Sequence, residues 1–146
     1  MTRRAADWHL AVTDWTRDHA ALYAVRHAVF VEEQGVPVEL EQDHWDALSR
    51  HVLVRAADGT PVATGRLLPD GHIGRLAVLR AWRGQGLGQA LMARLVELAR
   101  EAGLREVVLN AQLRAEPFYA ALGFVAEGDT FIEAGIAHRV MRRRLA

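Results

Sequence analysis

The chain reads as an α/β protein built on a mixed β-sheet, and three observations predict it. Two Asp-Gly pairs, Asp58-Gly59 and Asp70-Gly71, separate strand-forming runs and mark tight hairpins. A glycine-rich turn, Arg-Gly-Gln-Gly-Leu-Gly at 83–88, joins the apolar run 73–79 to a long helical pattern. A second short apolar run at 106–109 follows that helix, so strand, helix and strand form one crossover.

The remaining elements fall into order around these. Trp8 to Thr13 alternates loosely and predicts a first strand. A helix is expected from Thr16, with Thr16 as N-cap, Asp18 in the first turn, and Leu22, Val25, Val29 and Phe30 at helical spacing. It should stop before Gly35 and Pro37. Residues 37–49 are polar and acidic without apolar period, which predicts a loop with one short turn. Strands follow at 51–56, 61–68 and 72–79. The next helix, from about Gly86 to Glu101, carries an apolar stripe at Leu87, Leu91, Leu95, Leu98 and Ala102, with Gly103 as its stop. Beyond the strand at 106–109 come a short helix at 116–122 ended by Gly123, then strands at 124–127 and 136–145. The predicted order is β-α-β-β-β-α-β-α-β-β.

Length and composition bound the function. A chain of 146 residues predicts one domain, 1–146, and its 51% hydrophobic and 25% charged residues are those of a soluble globular protein. No run approaches the roughly 18 apolar residues of a membrane helix, and the N-terminus lacks a signal-peptide pattern. A cytoplasmic protein away from membranes is expected. Without cysteine there is neither a disulfide framework nor a thiol nucleophile. Eighteen basic and 18 acidic residues balance, which argues against a nucleic-acid binder, and Arg142, Arg143 and Arg144 read as a solvated strand end. Every basic residue is arginine, which suggests a GC-rich bacterial genome and excludes a lysine base. The seven histidines include no H-x-x-x-H pair, and His44 beside Asp43 and Asp46 is only a loop grouping; no metal is expected.

The glycine turn carries the first chemical signal. A strand that delivers three glycines to a helix start exposes backbone N–H groups at the positive end of the helix dipole, a seat for phosphate or pyrophosphate. Arg83 adds a fork-shaped cation suited to phosphate oxygens. A dinucleotide fingerprint would need glycine at 89, where Gln89 stands, and a P-loop would need a lysine. The pattern that survives is R-x-x-G-x-G.

The stretch RLAVLRAWRGQGLGQALM (75–92) resembles the acetyl-coenzyme A motif of the GNAT superfamily of N-acetyltransferases. FYAALGF (118–124), preceded by EVVLNAQ (106–112), is similar to the later motif of that superfamily. RHAVFVEEQGVP (26–37), the acidic Glu41, Asp43 and Asp46, the NAQ at 110–112 and His138 are similar to its ElaA-like branch. The resemblance covers nearly the whole chain. It implies a GNAT-type mixed central sheet of about seven strands, mostly antiparallel with one parallel crossover, flanked by about four helices. It also implies direct acetyl transfer from acetyl-CoA to a small amine in a ternary complex, and pairing of two copies through their sheets.

Residue by residue, the resemblance places the pyrophosphate on the amides of Gly84, Gln85, Gly86, Leu87 and Gly88, with Arg83 beside it. Leu76, Ala77 and Val78 would line the pantetheine arm, on the free N–H and C=O groups of Leu76 and Val78, and the Val78 amide would polarise the thioester carbonyl. Asn110 matches a position that contacts the arm, although its residue type also suits a strand-end turn. Tyr119 matches a phenol that protonates the departing thiolate; the plain alternative is a core tyrosine. The strand HIGRLAVL lacks the carboxylate that many family members use as base. The candidates are therefore Glu33, Glu41, Asp43 and His138, of which histidine has the side chain suited to neutral pH. Glu33, Glu41 and Asp43 are also candidate acceptor-binding residues, and the acidic run 39–46 predicts a cationic acceptor. Arg26 is expected to tie the first helix to that run. Two other functions fit the resemblance: a non-catalytic CoA-binding regulator, and an enzyme like the acyl-homoserine-lactone synthases, whose chains are longer.

Overall fold

Strands β1 (Trp8–Thr13), β2 (Arg50–Ala56), β3 (Pro61–Leu67) and β4 (Ile73–Val78) pair in that order into an antiparallel sheet in the computed structural model, which describes residues 7–146. Both Asp-Gly hairpins form. Gly59 and Gly71 take left-handed φ of 91° and 98°, which glycine adopts without strain. Gly71 is needed a second time, because a Cβ there would lie 2.9 Å from the Glu106 carbonyl oxygen. Strands β5 (Glu106–Gln112), β6 (Val125–Glu133) and β7 (Ile136–Arg144) make a second antiparallel sheet in the order β5-β7-β6.

The expected mixed sheet is thus two sheets meeting at one point. Among the described residues they are joined by a parallel bridge, His72 with Val108, where the Val108 N–H donates to the Gly71 carbonyl at 3.1 Å. Helix α3 (Leu87–Glu101) makes the crossover between β4 and β5 and buries Leu87, Leu91, Leu95 and Leu98 against Val52, Val54, Leu67 and Leu109. It lies close on β3, where a Cβ on Gly65 would meet Leu95 Cδ1 at 2.9 Å. Helix α1 (Trp15–Arg26) covers the other face, from which Val25, with Val29 just past the end of the helix, reaches Ala77 of β4. No helix of the described residues is long and apolar enough to cross a membrane.

Several boundaries differ from those the sequence predicts. Asp14, not Thr16, caps α1, accepting the Arg17 N–H at 2.8 Å. The helix then widens into a π-helix over His27–Glu33 before stopping at Gln34, ahead of Gly35. Strands β5 and β6 outrun their short apolar runs because β7 pairs with both along most of its length. The β6–β7 turn puts Ala134 and Gly135 at φ of 51° and 77°, and alanine gives no turn signal there.

The largest departure concerns 37–49. Instead of a solvated loop there are two helical turns, α2 (Val38–Glu41) and Asp46–Leu48, wrapped on a buried charge network. Arg26, 1% exposed, donates through Nε to Glu41 and through Nη1 and Nη2 to Asp46 at 2.7 and 3.1 Å. Arg66 of β3 donates to Asp43 at 2.7 and 2.8 Å and to Asp46 at 2.8 Å. Arg75 of β4 reaches the Glu41 and Leu40 carbonyls at 3.0 and 3.3 Å, and Asp43 at 3.4 Å. Trp15 covers the Arg26 guanidinium, 5.3 Å from ring centroid to Cζ. Arg26 does tie helix to loop, as expected.

Burial opposes ionisation of Asp43 and Asp46, but the arginine hydrogen bonds and charges outweigh it. Asp43 is lowered to about 2 and Asp46 lies below the ordinary aspartate value. Carboxylates depressed in the folded state stabilise it above about pH 4, and that contribution is lost as pH falls toward 2. Urea denaturation should show this acid-side decline, and Asp43→Asn should make it shallower. Arg26→Met leaves buried Glu41 without its ion-pair partner and takes two hydrogen bonds from Asp46, and is expected to cost about 3–5 kcal/mol at pH 7 by the same measurement.

Candidate active site

A bulge opens the cleft. Opposite Thr64 to Arg66 the β3–β4 register shifts, and Arg75 sits at a left-handed φ of 50°, rare for a residue with a side chain. Beyond the His72 bridge, β4 diverges from β5. The Leu79 N–H donates to the Val62 carbonyl at 2.9 Å, so by strand alternation Ala77 turns its polar backbone groups toward β3. Those of Leu76 and Val78 point away from β3, into the gap. One of them is not free: the Val78 carbonyl accepts from Arg83 Nε at 3.0 Å.

The glycine turn lies at the head of this gap. Gly84 and Gly86 adopt φ of 78° and 85°, and α3 starts at Leu87 with Gly86 as its cap residue. Among the described residues, no N–H from Gly84 to Gly86 donates to a backbone carbonyl. Those of Leu87 and Gly88 belong to the first helical turn, whose amides have no partner within the helix. Five successive amides are thus available at the positive end of the dipole. Gly88 is fixed by packing, since a Cβ there would come 3.2 Å from Phe118 Cζ. Helix α4 (Glu116–Ala121) therefore stands against the start of α3.

Tyr119 follows Phe118 on α4 and packs edge-on to Phe118 and Phe124, at 5.0 and 6.1 Å between centroids. Burial raises its pKa to about 12, and its hydroxyl has no hydrogen-bond partner among the described residues. Asn110 is not brought to it. Val107, Leu109 and Ala111 of β5 face the helices α3 and α4, whereas Asn110 is exposed on the opposite face, 3.4 Å from Glu133. There it lines a groove of about 480 Å³ with Asp70, His72, Glu127 and Arg142.

That same face carries His138, 7% exposed, in register with Gln112 of β5. Its Nδ1 lies 2.6 Å from the Ile136 carbonyl, its Nε2 3.8 Å from Glu133, and Phe131 stacks on the ring at 5.9 Å. Gln112 in turn donates to Gln34 at 2.9 Å, linking β5 to the end of the π-helix.

The three carboxylates among the candidate bases have other partners. Both oxygens of Glu33 accept from Arg83 at 2.7 Å, and Arg80 lies 3.5 Å away. The Arg83 hydrogen bond and charge hold Glu33 at about 2, a weak proton acceptor. Arg83, expected beside the pyrophosphate, is turned instead toward Glu33 and β4. Glu41 is buried on Arg26, and Asp43 is held by Arg66 and Arg75. The charges of Glu41, Asp43 and Asp46 are spent inside the fold, which leaves Glu39 as the exposed acid of the run 39–46. The sequence did hold a signal for this: arginines at 66 and 75, within strands, face three acids between 41 and 46. No group of three or more metal-ligating side chains gathers among the described residues.

The family model of the acetyltransferase (GNAT) domain matches residues 13–145. YjcF of Bacillus subtilis (strain 168), named an uncharacterized N-acetyltransferase, is 38% identical over 125 residues, which span 83% of this chain and 89% of that one. An acyl-CoA N-acyltransferase from Pseudomonas aeruginosa superposes with a TM-score of 0.82 at 34% identity, over 94% of this chain and 99% of the other. Escherichia coli ElaA superposes at 0.81 and 30% identity, over 92% and 99%. The chain belongs to the GNAT acetyltransferase family, and ElaA is among its structural neighbours.

Proposed function

We propose that this protein is an acetyl-CoA-dependent N-acetyltransferase that transfers acetyl directly to a small amine within a ternary complex, in a single catalytic domain. The observation that carries the reading is the set of five available amides at the head of α3, opening onto the gap between β4 and β5. Pyrophosphate suits the amides of Gly84 to Gly88. The outward backbone groups of β4 suit an extended pantetheine arm, which would bind as an added strand at Leu76 and Val78. The Val78 N–H then serves as donor to the thioester carbonyl as it gains negative charge.

Two side chains handle the protons. The Nδ1 contact with the Ile136 carbonyl assigns the proton to Nδ1 and leaves the His138 Nε2 lone pair available. His138 takes the proton of the attacking amine as the N–C bond forms. The C–S bond breaks, and Tyr119 donates its proton to the thiolate. A phenol at about 12 stays protonated at every working pH. The transfer looks uphill against an ordinary thiol near 8.5, but the same apolar surroundings raise the proton affinity of a thiolate placed there. The amine acceptor approaches from the face of His138, Gln112 and the π-helix.

Calorimetry should show acetyl-CoA binding to the wild type, and none to Gly86→Glu, whose carboxylate and strained φ occupy the anion seat; wild-type protein that fails to bind would end this reading. Tyr119→Phe should leave acetyl-CoA affinity unchanged and lower kcat roughly a hundredfold, followed as thiol release across an amine panel. An unchanged kcat would remove the acid role, and binding with no turnover on any amine would favour a CoA-binding regulator. His138→Gln should lose about a hundredfold in kcat/KM near pH 7 and recover toward pH 10, where an alkyl amine sheds its own proton.

A further inference from the structure

The segment from His27 to Gln34 reaches both lips of the cleft. On the β4 side, Glu33 grips Arg83 through two bonds of 2.7 Å while Arg83 Nε donates to the Val78 carbonyl at 3.0 Å. On the β5 side, Gln34 accepts from Gln112 at 2.9 Å. Apolar packing holds the first half of the segment, where Val29 and Phe30 pack in a cluster with Val25, Ala77 and Leu79. Beside this packing a cavity of about 270 Å³, lined by Ala28, Val29, Glu32, Glu33, Leu79 and Arg80, runs between the segment and the chain that follows β4. Beyond the packed half, the Glu33–Arg83 ion pair joins the segment to the chain that follows β4. A fork geometry with three donors committed, two to one carboxylate and one to a strand carbonyl, fixes the plane of the guanidinium.

We propose that Arg83 is a positioning residue rather than a phosphate ligand: with Glu33 it couples the cofactor loop and the end of β4 to the π-helical segment on the acceptor side. The inference rests on the acetyl-CoA reading of the loop. Cofactor seated on the amides of Gly84 to Gly88 stiffens the loop that carries Arg83, and the Glu33 pair passes that order to residues 27–34. Glu33 and Arg83 then act as one unit.

The test titrates acetyl-CoA into wild type, Glu33→Gln, Arg83→Gln, Arg83→Lys and the Glu33→Gln/Arg83→Gln double variant, with amide hydrogen exchange followed in each. Each single variant should weaken binding by about tenfold, Arg83→Lys included because an ammonium cannot form the fork, and the double variant should be no worse than either single one. Acetyl-CoA should slow exchange over 27–36 in the wild type but not in the variants, while protection of 84–90 persists in all of them. Tighter binding by Glu33→Gln, or wild-type affinity in Arg83→Lys, would show Arg83 acting as a charge on phosphate and overturn the proposal. Additive losses, or protection of 27–36 surviving in Glu33→Gln, would overturn it too. A wild type that binds no acetyl-CoA is a different outcome, and it removes the parent reading as well.

Discussion

The cleft depends on one residue held out of strand geometry. Arg75 lies within β4 at φ of 50°, a conformation that costs a residue with a Cβ roughly 1–2 kcal/mol. Its guanidinium is what keeps it there, bonded to the Leu40 and Glu41 carbonyls and to Asp43. Those acceptors are fixed in turn because Glu41 and Asp46 are anchored on Arg26 and Asp43 on Arg66. The bulge bends β4 away from β5, and the separation leaves the backbone groups of Leu76 and Val78 facing the gap. The acidic run thus acts at a distance from the cleft, through the arginine that shapes its edge.

The energetics of this network favour a geometric role. Arg26, Arg66 and Arg75 against Glu41, Asp43 and Asp46 is neutral as a group, and buried ion pairs gain little over well-packed apolar residues once desolvation is counted. The pairing is also imperfect, since Glu41 Oε2 and Arg66 Nε are buried without a partner among the described residues. Burial, and repulsion from Arg66 and Arg26, push the Arg75 pKa below its usual value, which Asp43 and Glu41 oppose. An apolar cluster would fill the same space without specifying directions. Guanidinium forks specify them, and so place 38–48 at a defined height over β3 and β4.

What could be read from the sequence was local. The hairpins at Gly59 and Gly71, the α3 stripe and the glycine turn each carry their signal within a few residues, and each stands where it was expected, apart from Ala102, which caps α3 and is exposed rather than part of its stripe. The π-helix carries none, because a run such as His27–Glu33 shows the same apolar spacing whether each turn holds the usual number of residues or one more. The bulge at Arg75 is set by carbonyls some 35 residues earlier in the chain, and the partners of Glu33 and Gln34 are 50 and 78 residues away. Acid residues read in isolation suggested a solvated patch and a cationic acceptor. Only their juxtaposition with Arg26, Arg66, Arg75 and Arg83 gives them structural tasks, and by elimination moves the candidate base from the carboxylates to His138.

The sheet itself then separates the two proton carriers of the proposed mechanism. Tyr119 packs with Phe118 and Phe124 on the α3–α4 face of β5, while His138 lies on the opposite face beside Gln112. In that mechanism the proton leaving the amine and the proton reaching the thiolate are handled on different faces of the sheet. The same division gives each group the surroundings its task needs. The tyrosine is half-buried among phenylalanines, and that burial keeps it protonated, while the histidine has Glu133 and Gln112 as polar neighbours. Opening the sheet at β4 is therefore what allows one side to remain apolar and the other polar around a single reacting carbon.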